Sequence, residues 1–382
     1  MKDIFLVAAK RTPFGRFRGQ LAGQTAVELG QLALTGVIES AALAPTELDA
    51  LFMGNVLSAG LGQNVARQVA FAAGMKETSS SVTINEVCGS SLKALRLAQG
   101  QMELGDCELV AVGGSESMTN AAYYAAEKNM PLASTMIKDG LTDAFSHQHM
   151  GLTAENVAMR YHITRQEMDE YSLHSHQKAA RAAARGDLAT EIVPINLHNH
   201  QITRDENIRL DTSMSALGQL RPAFKENGLV TAGNASPLSD GASMVLLATA
   251  TKVQELHLRP LARLGAFAES GTDPAYMGMA PYYAVKKLLK KTGQKIADYD
   301  VIEVNEAFAA PSVALTRALA IPEKRLNPFG GAIALGHPLA ATGTRLVTTA
   351  LNGLEKLHGH RALITLCIGG GQAIACELIR DN

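Results

Sequence analysis

The chain has no tryptophan, and its aromatic residues amount to only 5%. Its interior must therefore be built from aliphatic side chains. Abundant alanine and 34 glycines suit helices lying close on sheets. Cysteine is also scarce: Cys88, Cys107, Cys367 and Cys376 stand far apart, with no Cys-x-x-Cys pair. That excludes a disulfide framework and points to a reducing, cytoplasmic setting. Neither sign of charge prevails, the net charge being −1, so no global field attracts nucleic acid or an anionic membrane. Long apolar runs are missing too. The short one in MKDIFLVAAKRTPFG breaks at Lys10 and Arg11 and reads as a first strand. The GxxxxGK(S/T) phosphate loop is absent, and no GxGxxG follows a strand.

What is present is 382 residues of ordinary folded composition, 47% apolar and 19% charged. This is too long for one core and implies two or three lobes. A weak duplication organises them. Residues 27–56 read as an amphipathic helix, a Pro/Thr turn, Asp49 and a strand; residues 280–307 repeat that order with Asp300 in the place of Asp49. DCELVAVGGSESM (106–118) and HRALITLCIGGGQAIA (360–375) each run from a helix and strand into glycines, which predicts two corresponding loops. Both halves alternate helices with β-rich runs, so the fold class is α/β, with one unit present twice. The stretch from about 119 to 240 does not fit the repeat and reads as an inserted lobe over the first unit. Within it Thr164, Glu167 and Gly186 predict a capped helix.

Four segments place reactive side chains beside small residues. INEVCGSSLKAL (84–95) sets Cys88 between a strand-like run and a helix-like run. The sulfur there reads either as a buried small hydrophobe or as a thiol whose pKa a helix start lowers. GGAIALGHPLAATG (330–343) puts His337 just before a helix start, as a structural histidine or a neutral base. LITLCIGGG (363–371) ends a strand at Cys367 and follows it with glycines whose N–H groups can receive an oxyanion. VIEVNEAFAA (301–310) places Asn305 and Glu306 where a β-rich run becomes helical, and Asn305 can hold a water or a histidine. Open α/β folds put their sites at such junctions. A metal centre is disfavoured, because the possible ligands lie in separate segments without paired spacing. The His-x-His pairs 147/149, 174/176, 198/200 and 358/360 read as solvated loop histidines, His149 excepted.

Taken in order, RTPFGRFRG, NEVCGSSLKAL, HMGLTAENVA, TAGNASPLSDGAS, VNEAFA, GGAIALGHPLAATG and CIGGGQAIA span nearly the whole chain and resemble the thiolase family. The resemblance implies duplicated βαβαβαββ halves in a five-layered α-β-α-β-α arrangement with an inserted loop domain. The implied division is 1–118 plus 241–262, then the insert 119–240, which binds coenzyme A, then 263–382. It implies Cys88 as the acyl-carrying nucleophile and His337 as its base. Cys367 would be the second acid/base, taking a proton from the methyl of an acetyl thioester. Asn305 would hold a water that, with His337, stabilises the enolate. The N–H groups of Cys88 and Gly369 would form a second oxyanion hole.

His149 and Met150 resemble the pair typical of the short-chain type, in which the methionine limits chain length. Ser236 would hydrogen-bond the pantetheine arm, Arg209 and Phe224 would contact the nucleotide end and the pantetheine, and Phe308 would join the substrate- and CoA-binding residues. Two positions depart from the family pattern. Glu86 could raise the Cys88 pKa if it points inward, and Pro237 stiffens the loop after Ser236. The implied activity is reversible condensation of two acetyl-CoA to acetoacetyl-CoA and CoA, by a ping-pong route through an acetyl-cysteine. A broader 3-ketoacyl-CoA thiolase and a catalytically silent CoA-binding scaffold are the alternatives. The implied enzyme uses CoA thioesters as substrates and has no permanently bound cofactor and no metal. It assembles as a homotetramer, a dimer of dimers, with contacts in residues 121–140.

Overall fold

The computed structural model describes residues 3–125, 130–197 and 200–381. The main elements are β1 (Ile4–Arg11), α1 (Ala26–Ser40), β2 (Ala50–Gly54), α2 (Val65–Ala72), β3 (Ser80–Ile84), α3 (Ser90–Leu104) and β4 (Leu109–Ser117). Then come α4 (Met150–Arg160) and α5 (Arg165–Arg185), followed by β5 (Ser239–Thr249), β6 (Ala262–Gly271) and α6 (Ala280–Thr292). The chain ends with β7 (Val301–Val304), α7 (Ala309–Leu319), α8 (Thr342–Lys356), β8 (Arg361–Ile368) and β9 (Gln372–Ile379).

The strands run in the order β7-β8-β9-β6-β1-β5-β4-β2-β3. Two subsheets meet where Phe5 and Leu6 pair with Arg263 and Ala262. The halves have matching topology. β2 is parallel to β4 and β7 is parallel to β8, and each of β4 and β8 then pairs antiparallel with its next strand, β5 or β9. The two repeat aspartates do the same work. Asp49 accepts from the N–H groups of Glu108 and Leu109, and Asp300 from those of His360 and Arg361. Each carboxylate thereby fixes the start of the strand pair beside it. The second half lacks a full counterpart of β3; a single parallel bridge between Ile302 and Leu326 stands in its place.

Five layers follow from where the apolar faces point. α1 and α2 cover the outer face of the first subsheet. α3 and α8 lie between the two subsheets, with Leu92, Leu95, Leu346 and Val347 in one core with strands of both. α6 and α7 cover the outer face of the second. Burying a helix on both sides demands small and apolar residues all round, and α8 is buried from Thr342 to Leu354. One expected loop is not a loop: Gly113 and Gly114 lie within β4, paired with Ser243 and Met244 of β5. Gly114 is required there, since a Cβ would stand 2.0 Å from the Ala340 carbonyl, in the turn that follows His337.

Between β4 and β5 the chain leaves the sheet for the segment containing α4 and α5. The predicted cap of α5 is present: Thr164 accepts from Glu167 N–H, Glu167 reaches back to Thr164, and Gly186 ends the helix at φ 76°. Arg11 ties this segment to β1. Its buried guanidinium meets both oxygens of Asp205 at 2.6 and 2.8 Å and Glu191 at 2.9 Å.

Candidate active site

Cys88 sits between β3 and α3, one residue before the helix N-cap at Gly89. The turn that presents it is strained: Val87, a β-branched residue, has φ 48°. Ser90 holds the turn, donating its hydroxyl to Val87 O at 2.6 Å and accepting from Glu86 N–H at 2.9 Å. Gly89 admits the β8–β9 hairpin, because a Cβ there would lie 2.4 Å from Ile368 Cδ1. That hairpin carries Cys367 and Gly369. The residues that precede α8 carry His337, buried with its N–H on Ser239 Oγ at 3.3 Å. Asn305 follows β7 and its N–H binds Thr365 O at 3.1 Å.

These four junctions converge. His337 Nε2 is 3.2 Å from Cys88 Sγ and 3.4 Å from Asn305 Nδ2. The N–H groups of Cys88 and Gly369 favour negative charge on the Cys88 sulfur, and Cys367 opposes it. Asn305 Oδ1 is buried without a protein donor. A cavity of about 390 Å³ opens above the sulfur and brings together Cys88, His337, Cys367, Gly369, His149, Met150, Arg209, Phe224, Ser236 and Phe308. It shares Arg209, Ala232, Pro237 and Leu238 with a second recess of about 430 Å³. A larger cavity of about 630 Å³, at the seam of β1 and β6, holds none of these residues.

The cavity walls are specific. His149 caps α4: its Nδ1 accepts from Gly151 N–H at 3.0 Å, and its ring stacks on Phe224 at 4.6 Å. Phe224 meets Phe308 edge-on at 6.1 Å. Met150 is buried with Met277, Ala307, Phe308 and Cys367. A Cβ on Gly369 would lie 3.8 Å from the Met150 sulfur. Ser236 donates to Ala307 O at 3.1 Å, so its hydroxyl oxygen is left as an acceptor toward the cavity.

The electrostatics correct one expectation. The helix start does not lower the Cys88 pKa below that of an ordinary thiol. Burial pushes it well up and Cys367 adds to this, against the pull of the Cys88 and Gly369 N–H groups. His337 is held neutral, its pKa pushed down to about 3 by burial first and by Arg345 second. Burial likewise raises Cys367 to about 11. Glu86 places Oε1 3.6 Å from Lys93, which also holds Glu269 at 2.5 Å, while its Oε2 is buried without a donor beside Gly89.

Three supports escaped the sequence reading. Glu116, fully buried, accepts from the N–H groups of Val56, Leu57 and Ala340 and so braces the turn after His337. Glu306 gathers Tyr171, Ser175, Asn327 and the Ile333 N–H, joining α5 to the helical turn before His337. His176, expected in solvent, is buried on α5 and accepts from Arg209 N–H at 3.2 Å; burial and Arg209 lower it to about 4. The signal for Glu116 and Glu306 was a carboxylate inside an apolar or glycine-rich run, which must be buried and satisfied. His198 lies outside the described residues. Among the described residues no group of three or more His, Cys, Asp or Glu could hold a metal.

A thiol within reach of a neutral imidazole, N–H donors at the sulfur and a second thiol in an apolar recess suit nucleophilic acyl transfer. The comparisons agree. The family model of the thiolase N-terminal domain matches residues 4–251, and that of the C-terminal domain matches 258–380. The chain belongs to the thiolase family and is an acyltransferase. It is 44% identical to a probable acetyl-CoA acetyltransferase of Escherichia coli K12, over 100% of both chains. It is 43% identical to a probable acetyl-CoA acyltransferase of Staphylococcus aureus COL, over 98% of each. Among solved structures, the Acat5 thiolase of Ascaris suum in complex with coenzyme A superposes with TM-score 0.95 at 37% identity, over 100% of both chains. Human mitochondrial 3-ketoacyl-CoA thiolase in complex with CoA gives 0.96 at 36%, over 100% of this chain and 98% of that one.

Proposed function

We propose that the protein is an acetyl-CoA C-acetyltransferase that condenses two acetyl-CoA to acetoacetyl-CoA and CoA, reversibly. The observation that carries this reading is the 3.2 Å contact of Cys88 Sγ with His337 Nε2 at the floor of an apolar cavity. In the first half-reaction the Cys88 proton passes to His337, the sulfur attacks the thioester carbonyl, and the carbonyl oxygen is received by the Cys88 and Gly369 N–H groups. CoA leaves as a thiol carrying the proton of Cys367, so Cys367 is left as a thiolate while His337 keeps the Cys88 proton on Nε2. In the second, Cys367 removes a proton from the methyl of a second acetyl thioester. The enolate oxygen is held by His337 and a water on Asn305, whose buried Oδ1 has room in its bonding for such a donor. Its carbon attacks the acetyl-Cys88, and the Cys88 sulfur departs. Kinetics are ping-pong.

Met150 supports the short-chain reading, since its side chain is packed against Cys367 and Phe308 where a longer acyl group would extend. Residues 119–240 would bind CoA through Arg209, which lines both recesses, and through Phe224 and Ser236, which line the first together with Phe308. The dispersed free cysteines fit a cytoplasmic enzyme.

The test is CoA-dependent cleavage of acetoacetyl-CoA against a long-chain 3-ketoacyl-CoA. Acetoacetyl-CoA should be strongly preferred, Cys88→Ser should lose about 10³-fold or more, and Met150→Ala should shift preference toward the longer substrate. Comparable long-chain cleavage by the native protein would favour a general 3-ketoacyl-CoA thiolase. Absence of an acyl-enzyme and of any turnover would favour a CoA-binding scaffold.

A further inference from the structure

We propose that Thr342 is a positioning residue that selects the tautomer of His337 and thereby makes Nε2, not Nδ1, the base that faces Cys88. This rests on the reading of His337 as the base of the proposed reaction. Thr342 is the first residue of α8 and is fully buried. Its hydroxyl has one proton to give and two lone pairs. Pro338 O lies 3.0 Å from Oγ1, and a carbonyl only accepts, so the hydroxyl proton goes there. His337 Nδ1 lies 2.6 Å from the same Oγ1. With its single proton committed to Pro338, Oγ1 can only accept from the ring, and Nδ1 carries the hydrogen.

The other side of the ring gives the same answer independently. Nε2 has two neighbours: the Asn305 amide nitrogen at 3.4 Å, which only donates, and the Cys88 thiol at 3.2 Å, whose S–H proton is the one to be moved. A bare Nε2 satisfies them. The opposite tautomer would aim an Nε2–H at the Asn305 amide NH2 and at a thiol sulfur that accepts only weakly, and leave Nδ1 and Pro338 O competing for one hydroxyl proton. The five-residue spacing is what the turn Leu339–Ala341 needs to bring the first residue of α8 back beside the ring. Burial and Arg345 hold the imidazole neutral, so the choice of tautomer decides which nitrogen is basic.

The consequence for the reaction is directional. When the Cys88 S–H bond breaks, its proton forms a new N–H bond at Nε2, and the Nδ1–H stays on Thr342. His337 is then an imidazolium, and only in that state does Nε2 donate. One atom therefore accepts before the attack and donates after it, with no rotation of the ring.

Two readouts test this. In the native resting protein, ¹⁵N-histidine labelling with the His337 signal assigned by His337→Asn reads the tautomer directly. Protonated Nδ1 and bare Nε2 are expected; the reverse pattern overturns the proposal, whether or not the protein turns over either thioester. In kinetics, Thr342→Val should lower kcat for acetoacetyl-CoA cleavage about 10²-fold with KM within about twofold. Thr342→Ser, which keeps the hydroxyl, should recover to within about fivefold of the native rate. A valine variant within about threefold of native, or a serine variant as slow as the valine one, overturns it. Should the valine variant fail to fold, the labelling experiment decides alone.

Discussion

At the residue scale the central pair is a thiol and an imidazole, both neutral at rest. A thiolate–imidazolium pair would need stabilisation that the apolar surroundings do not supply: burial moves the Cys88 pKa up and that of His337 down to about 3. Proton transfer is then coupled to attack on the thioester, and the N–H groups of Cys88 and Gly369 act on the charge as it forms. The alkylation of Cys88 by iodoacetamide should therefore keep rising as pH increases through 8 and 9, following the growing thiolate fraction. A rate that levels off near pH 7 would show a preformed ion pair. The motif around Cys88 was plain in the sequence, but its protonation state was not, because a helix start and a buried apolar pocket push in opposite directions and only the surroundings decide which prevails.

At the element scale, positions close to the chemistry are held by residues that never touch it. The RTPFG stretch resembles a family motif, and its arginine proves structural. Arg11, at the end of β1, is fully buried and fastens Glu191 and Asp205 of the inserted segment. Its planar fork meets both Asp205 oxygens and Glu191 at once, which an ammonium does not. Arg11→Ala leaves two buried carboxylates unpaired and should cost about 3–5 kcal/mol, and Arg11→Lys should recover only a minor part of it. Urea unfolding of both variants checks this; a lysine variant as stable as the native protein would overturn the bidentate argument. Gly89 and Gly114 act at the same scale. Gly89 leaves room for the Ile368 side chain and Gly114 for the Ala340 carbonyl, so that the Cys367 hairpin and the His337 turn close on Cys88.

At the scale of the whole molecule, the segment around the cavity mouth exposes more apolar surface than a lone protomer needs. Tyr123, Met130, Leu132, Ile137 and Phe145 are all exposed within one stretch, with Leu132 at 68% and Phe145 at 71%. We propose that this stretch, which overlaps residues 121–140, buries itself against a second copy in a tetramer. Light scattering should give four protomers for the native protein, and Leu132→Asp with Phe145→Asp should give a smaller species that still cleaves acetoacetyl-CoA. A native monomer would end this reading. Residues 126–129 of that stretch lie outside the described residues.

The alternation of helices and strands, the doubled unit with its paired aspartates, the capped α5 and the candidacy of Cys88, His337, Cys367 and Asn305, which the structure brings to one place, could all be read from the chain. These features are local: a cap, a turn or a strand–loop–helix junction is written in neighbouring residues. Other features belonged to the tertiary structure. The glycines of VGGSES lie in a strand rather than a loop, because β5 pairs alongside them. His176 is buried rather than solvated, because the Arg209 segment folds over α5. Glu116, Glu306 and Thr342 gain their roles from partners far along the chain or across a turn, and no spacing rule names those partners. The residue types at the site were fixed by sequence, whereas their protonation states, and which nitrogen of His337 faces the thiol, were decided by burial and hydrogen-bond partners that exist only once the two halves have closed on each other.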